Sequence, residues 1–213
     1  MHRHTTFGVG GPADIYAIPE SGEELGRLIL FARDAGLPIY ILGGGANILV
    51  SDAGIRGLVV DMTGLAHVRI EGTHLVAEAG AEISEVSRQA GEASLSGLEF
   101  IFKMPGSTGG ALWMNARCYG VSISEVVEWV EYVDGNGSWG RLSLPHPDFA
   151  YKRSPFQDSD RTVYRASFAL KRGNPDDILS KMRRVFEDRK RKGHFAYPSA
   201  GSVFKNNRDF GKP

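Results

Sequence analysis

The sequence predicts a mixed α+β fold, and three observations carry that expectation. Helical spacing, short β-type runs and glycine turns succeed one another through the first sixty residues. Two hairpin patterns and a further alternating strand fill the middle of the chain. Three glycine clusters, Gly8-Val9-Gly10-Gly11, Gly43-Gly44-Gly45 and Gly106-Ser107-Thr108-Gly109-Gly110, punctuate it without a fixed period, so they read as loops that approach something closely and not as a repeat protein.

The elements follow in order. From Glu20 to Ala35, Leu25, Leu28, Ile29, Phe31 and Ala32 recur at three- and four-residue spacing behind Ser21, which predicts an amphipathic helix with a serine N-cap and Gly36 as its stop. A short buried strand over Pro38 to Leu42 is expected next, and after the triple glycine a second β-run, Gly57 to Met62. His67 to Ala79 alternates around a Glu71-Gly72-Thr73 turn, a hairpin with one buried face. Ile83 to Ala93 returns to helical spacing. Val126 to Val133 and Trp139 to Leu144, joined by Asp134-Gly135-Asn136-Gly137, form a second hairpin, and Thr162 to Leu170 alternates as another strand. Composition shifts at Gly173-Asn174-Pro175, and Asp176 to Lys192 is a strongly charged helix with Ile178, Met182, Val185 and Phe186 on one side. Its six basic residues between Arg183 and Lys192 read as one solvated face, the alternative being that they attract a substrate phosphate. The domain boundaries expected from this pattern are a first region over 1–173, divided near residue 62 into parts 1–62 and 63–173, and the start of an incomplete second domain over 174–213.

Composition excludes several classes of function. Hydrophobic residues make up 42% and charged residues 23% of the 213, so the chain can bury a core and is neither disordered nor fibrous. Lysine plus arginine, 25, equals aspartate plus glutamate, 25, so no basic excess marks a nucleic-acid or anionic-membrane partner. Apolar runs such as Ile39 to Leu42 fall far short of the ~20 residues of a membrane-spanning helix. The single cysteine, Cys118, forms no intrachain disulfide, and no charged-then-apolar leader opens the chain, which together predict a reducing, cytoplasmic setting. The six histidines show no zinc-ligand spacing. Glycine is out of line, at 27 residues against an average usage of about 7%.

Taken singly, the motifs leave alternatives open. Gly43-Gly44-Gly45 after a strand suits a phosphate cradle, where backbone N–H groups converge on an anion, and equally a plain turn. It is neither a dinucleotide fingerprint nor a P-loop, since Ala46-Asn47-Ile48-Leu49 continues without either signature. Pro105-Gly106-Ser107-Thr108-Gly109-Gly110-Ala111, followed by Trp113-Met114-Asn115, repeats the logic. Two such loops suit one extended cofactor with two phosphates, the competing reading being tight sheet packing. Ser199-Ala200-Gly201-Ser202-Val203-Phe204-Lys205-Asn206 is no acyl-transfer elbow, but a serine hydroxyl held near a cation could donate a proton. Tyr151-Lys152-Arg153-Ser154 offers two adjacent cations, a pattern also common on solvated surfaces.

Assembled, these motifs resemble one family, the bacterial UDP-N-acetylenolpyruvoylglucosamine reductases, also called UDP-N-acetylmuramate dehydrogenases. The likeness runs through His4-Thr5-Thr6-Phe7, Gly10-Gly11-Pro12-Ala13-Asp14, Leu42 to Leu49, Pro105 to Ala111, Met114-Asn115-Ala116, Tyr119-Gly120 and Ser199 to Asn206, in the family's order and over nearly the whole chain. It implies an FAD-binding fold of the vanillyl-alcohol oxidase type, with a smaller C-terminal α+β substrate domain. FAD would be held by Gly43, Gly44, Gly45, Ala46, Asn47, Ile48, Pro105, Gly106, Ser107, Gly109, Gly110, Ala111 and Asn115. NADPH would reduce the flavin and leave. Hydride would then pass to C3 of the enolpyruvyl group of the UDP-sugar while Ser202 protonates C2, giving UDP-N-acetylmuramate for peptidoglycan. Lys205 and Asn206 match substrate-contacting positions, and Lys205 could also favour the transient Ser202 alkoxide. A cytoplasmic enzyme acting as a monomer is expected.

Three departures from the family pattern stand out. Lys152 occupies the slot of the catalytic arginine, and Arg153 comes one place later. On a strand the two would point to opposite faces. Alignment favours Lys152, which would replace a bidentate fork by a point charge. Arg117-Cys118 stands where Gly-Ala is usual, adding bulk and charge near the flavin. The family's C-terminal catalytic glutamate has no counterpart in this sequence, whence the expectation of an incomplete second domain. The alternatives are an inactive FAD- or nucleotide-binding module of the same fold, and a different oxidase of that fold, which would call for a histidine or cysteine placed for covalent flavin attachment.

Overall fold

A computed structural model describes residues 1–202. Its architecture is α+β, as the sequence predicts, with two larger sheets, of three and five strands, and two two-stranded ones.

The first sheet is built from β1 (Ala13–Ala17), helix α1 (Gly22–Asp34), β2 (Ile39–Leu42) and β3 (Ile55–Asp61). Its three strands are parallel in the order β1-β3-β2. The apolar run of β3 is central, and Leu58, Val59 and Val60 are fully buried. Ser21 Oγ accepts the Glu24 N–H at 3.2 Å and so caps α1. Leu25, Ile29 and Ala32 turn inward, and Gly36 follows at φ +64°. The strand expected over Pro38 to Leu42 forms, but it is not buried: Ile39, Tyr40 and Ile41 are 38%, 47% and 43% exposed. β2 is an edge strand with β3 as its one hydrogen-bonded neighbour, and of its residues Leu42 alone is buried.

The second sheet begins with the hairpin β4 (Val68–Glu71) and β5 (His74–Glu78), turned at Gly72 with φ +63°. Next come α2 (Ile83–Glu92), the two-residue strand β6 (Leu95–Ser96), α3 (Thr108–Trp113) and the small hairpin of β7 (Arg117–Cys118) with β8 (Val121–Ser122). The long hairpin β9 (Val127–Val133) and β10 (Trp139–Ser143) and the strand β11 (Thr162–Ala169) complete the sheet. It is antiparallel in the order β10-β9-β11-β5-β4. The two-residue β12 (Lys171–Arg172) pairs with β6 and leads into α4 (Pro175–Arg191).

The main core lies on one side of this sheet. Leu75, Ala77, Val130, Ala166 and Phe168 are fully buried, together with Ile83, Val86 and Ala90 of α2 and Leu112 of α3. On the other side Glu131 lies between the guanidinium groups of Arg141 and Arg165. Burial alone would push its carboxyl up, but the two charge-assisted bonds hold it below the usual carboxylate range. Phe168, on the central strand, is the aromatic side chain best placed to report core integrity. Phe168→Ala is expected to cost about 3–5 kcal/mol of stability, measured as a lowered urea midpoint.

Asn174 Oδ1 accepts the Asp176 N–H at 2.8 Å and starts α4, with Pro175 in its first turn. Ile178 and Met182 seat α4 on α2 at Gly91, where a Cβ would lie 2.9 Å from Met182 Sδ. The expected solvated basic face needs one correction: Arg189 is 5% exposed. It falls seven residues after Met182, two helical turns on, and so shares the apolar side of the helix. Among the described residues no helix is long and apolar enough to cross a membrane.

Candidate active site

The two glycine loops meet. A Cβ on Gly43 would lie 2.1 Å from Ser107 Oγ, and one on Gly44 would lie 2.8 Å from Gly106 Cα. Glycine is therefore required here by contact between the loops. Gly45 adds a left-handed conformation, φ +60°, with a Cβ position 2.1 Å from the His4 carbonyl oxygen. The loops differ in what their amides do. The N–H groups of Thr108 and Gly109 donate to Ala81 and Ala79 at 2.8 Å each, and that of Gly110 donates to Ser107 Oγ at 3.2 Å. Those of Gly44, Gly45, Ala46 and Asn47 meet no protein acceptor among the described residues. The first loop thus keeps amides without a protein partner, those of Gly44 and Asn47 on exposed residues, while the second braces it against the turn before α2. Backbone amides left without a protein acceptor, on a loop that glycine keeps clear of side chains at Gly43 to Gly45, suit a diphosphate, so the residues present fit FAD.

The N-terminal segment supports this junction. Thr6 N–H donates to the Gly45 carbonyl at 3.1 Å. Tyr16 donates its hydroxyl to the buried carboxylate of Asp61, and its oxygen lies 2.7 Å from His4 Nδ1. Burial first, and then the bond to Asp61, raises the Tyr16 pKa well above its ordinary value, so the hydroxyl stays a donor. Asp61 Oδ1 also accepts the Thr63 N–H at 2.9 Å, which fixes the end of β3.

Ser202 is exposed, and the segment before it approaches the first loop. Ser199 N–H donates to the Thr6 carbonyl at 3.2 Å, and the Thr6 hydroxyl donates to the Ser199 carbonyl at 2.5 Å. Gly201, at φ +78°, has its Cβ position 3.7 Å from Asn47 Oδ1 and 4.0 Å from the Ala46 carbonyl oxygen. Lys205 and Asn206 lie outside the described residues.

Lys152 and Arg153 are not strand neighbours, as the sequence suggested, but part of a tight turn. Ala150 and Arg153 exchange backbone hydrogen bonds of 3.1 and 3.0 Å, with Lys152 at φ +58° inside the turn. Turn geometry replaces strand alternation because a two-residue reversal leaves no extended backbone to alternate. Arg153 lies 3.7 Å from Asp158, an exposed pair. Lys152 is half-buried and has no carboxylate partner among the described residues. Asn115 braces this turn: its Nδ2 donates to the Ala150 carbonyl at 2.8 Å, and its Oδ1 accepts the Ser124 N–H at 3.3 Å. Through Asn115 the Lys152 turn is tied to the end of the second glycine loop.

Arg117 and Cys118 form one strand of the β7–β8 hairpin. The Arg117 guanidinium turns to Ser122 Oγ at 3.1 Å. Cys118 Sγ lies 3.4 Å from the buried Arg189, whose other terminal nitrogen lies 3.4 Å from His194 Nδ1. Burial, followed by the charges of Arg189 and Lys192, holds the His194 pKa below its ordinary value, so the ring is neutral near pH 7. Sequence reasoning singled out neither Arg189 nor the His4-Tyr16-Asp61 group. Helical spacing from Met182 could have found Arg189, whereas nothing local marks the other three.

Because Gly44 touches the Gly106 backbone, Gly44→Ala is expected to separate the loops. The purified variant should lose most of its bound flavin, read as the ratio of absorbance near 450 nm to that of protein. A Gly72→Ala control, at a turn where a Cβ meets nothing within 4 Å, should keep its flavin.

Residues 13–143 match the family described as FAD binding domain. Over 205 residues the chain is 45% identical to the UDP-N-acetylenolpyruvoylglucosamine reductase of Caldanaerobacter subterraneus subsp. tengcongensis, a match covering 96% of this chain and 68% of that protein. The enzyme of the same name from Clostridium novyi is 42% identical over 205 residues, covering 96% of this chain and 67% of that one. The crystal structure of the UDP-N-acetylenolpyruvylglucosamine reductase from Thermus caldophilus superposes with a TM-score of 0.80 at 31% identity, covering 97% of this chain and 73% of that chain. Fold, cofactor-domain match and identity along nearly the full sequence agree: the chain belongs to the UDP-N-acetylenolpyruvoylglucosamine reductase family.

Proposed function

We propose that this protein is an NADPH-dependent flavoenzyme that reduces the enolpyruvyl group of UDP-N-acetylenolpyruvoylglucosamine to UDP-N-acetylmuramate, in the synthesis of peptidoglycan precursors. The observation that carries the reading is the junction of the two glycine loops with the Ser199–Ser202 segment in a chain of this family. FAD held at this junction would supply the hydride chemistry, with NADPH as the reductant.

The chain's own residues do the rest. The first loop, Gly43 to Ile48, holds FAD through its open amides, and Pro105, Gly106, Ser107, Gly109, Gly110 and Ala111 shape the facing wall, with Asn115 behind them. Adding hydride to an enol ether conjugated with a carboxylate builds negative charge on that carboxylate, so a cation there stabilises the transition state more than the ground state. Lys152 is the better candidate for that cation, because Arg153 faces Asp158 while Lys152 faces no carboxylate among the described residues. Ser202 donates the proton. Lys205 and Asn206 contact the substrate, with Lys205 favouring the transient alkoxide.

Residues 1–173 read as the FAD-binding region, in parts of about 1–62 and 63–173, and 174–213 as the start of a substrate domain; the three-stranded sheet, drawn from residues 13–61, supports the first division. The cytoplasm is the expected location, since NADPH and nucleotide-sugars are made there, and a solution mass of one chain would support a monomer.

The test is an anaerobic titration of the full-length protein with NADPH, followed by the enolpyruvyl nucleotide. Bleaching near 450 nm by NADPH, with colour regained only on adding that nucleotide, is the expected result. Bound FAD whose reduced form is not reoxidised by the nucleotide would overturn the reading in favour of an inactive FAD-binding module.

A further inference from the structure

We propose that Thr6 is a positioning residue for the proton donor, clamping the Ser199–Ser202 segment onto the loop that holds the flavin. The inference rests on the reductase reading and names a residue through which its acid is placed. Thr6 makes bonds in two directions. Toward the segment, its carbonyl accepts the Ser199 N–H at 3.2 Å and its hydroxyl donates to the Ser199 carbonyl at 2.5 Å, so both backbone groups of Ser199 are held by one residue. Toward the loop, its N–H donates to the Gly45 carbonyl at 3.1 Å. The hydroxyl is also 3.4 Å from that carbonyl, but it has one proton, and the 2.5 Å contact takes it.

The clamp stands on a fixed base. Met1 donates its N-terminal ammonium to the Gly11 carbonyl at 2.5 Å, the buried Thr5 donates its hydroxyl to the Val9 carbonyl at 3.0 Å, and the His4 carbonyl abuts Gly45. Ser202 is three residues beyond the clamp, and between them Gly201 reverses the chain at φ +78° beside Asn47. Ser199 is therefore where the acid's segment is anchored, and its distance from the reacting carbon follows from that anchor. Proton transfer demands hydrogen-bond reach, and a shift of about 1 Å in a catalytic group costs roughly a hundredfold in rate. The Thr6 hydroxyl is close to solvent, so water can satisfy the Ser199 carbonyl when the hydroxyl is removed. What is lost is the position of the segment and not the fold.

The experiment measures the two half-reactions of the full-length, FAD-loaded protein separately by anaerobic stopped flow. In Thr6→Val, which keeps the shape of the side chain and loses its donor, flavin content and reduction by NADPH are expected to stay within about twofold, while reoxidation by the enolpyruvyl nucleotide slows roughly 10- to 100-fold. The solvent deuterium isotope effect on reoxidation should rise, because proton delivery becomes the slow event. Thr6→Ser, which restores the donor, should recover reoxidation to within about threefold of the parent. A Thr6→Val variant that reoxidises at the parent's rate, or slows both half-reactions equally, or is not rescued by Thr6→Ser, overturns the positioning role. If the unaltered protein cycles normally, such a result leaves the reductase reading standing. If the unaltered protein itself never regains colour, that reading fails and the role of Thr6 falls with it.

Discussion

Ser202→Ala is expected to divide the catalytic cycle in two, leaving flavin reduction by NADPH at the parent's rate and slowing reoxidation by the enolpyruvyl nucleotide roughly 10²- to 10⁴-fold, the range general acids contribute. Hydride addition to C3 without proton delivery to C2 leaves a carbanion that only solvent can quench. Ser202 is exposed where the chain passes the Gly43–Asn47 loop, so removing its hydroxyl opens no cavity and exposes no buried partner. Loss of rate in this variant therefore measures chemistry and not folding. Single-turnover stopped flow with the reduced enzyme is the measurement. Equal reoxidation rates in Ser202→Ala and the parent would remove the serine from the mechanism and leave the acid to be sought elsewhere. The effect should also exceed that of Thr6→Val, since deleting the acid is worse than displacing it.

The second large effect is expected at the Ala150–Arg153 turn. Lys152→Ala should lower kcat/KM for the nucleotide by about 10²- to 10³-fold, the usual cost of one group aimed at developing charge, or about 3–4 kcal/mol. Arg153→Ala should cost less than about threefold, since an exposed pair such as Arg153 with Asp158 contributes little. Lys152→Arg is the informative third variant. A guanidinium can grip a carboxylate with two parallel bonds, so if this ammonium faces the substrate carboxylate, arginine should retain most of the rate. The left-handed backbone at position 152, φ +58°, disfavours β-branched side chains there, so lysine, alanine and arginine form the fair comparison. Matched losses from Lys152→Ala and Arg153→Ala would end the assignment of a single cation.

Much of the fold is legible in the sequence because it is written locally. Ser21 before a three-four apolar rhythm marks α1, and Gly72 and the Asp134–Gly137 stretch mark the hairpin turns. Burial is less legible. Ile39 to Ile41 has the composition of an interior strand, but burial depends on what lies beside a strand, and β2 is an edge. The glycine loops announce close approach without saying to what, and each loop's partner turned out to be the other, through Gly44 and Gly106. The Lys152 turn escaped notice because its left-handed residue is neither glycine nor asparagine, the usual signals. The bonds between Thr6 and Ser199 leave no periodic trace at all, since nothing near either residue in sequence hints at the other.

The contact between Thr6 and Ser199 spans 193 positions of the chain. Bringing such distant segments together costs roughly 3 kcal/mol more in loop-closure entropy than closing a ten-residue loop, so the preceding sheets must first bring the ends near one another. A polypeptide leaves the ribosome N-terminus first, and here both sheets and both glycine loops are synthesised before Ser199 exists. Both glycine loops can therefore be present on the nascent chain while the serine proposed as proton donor is still to be translated, so on that reading the capacity to hold a cofactor precedes the capacity to use it.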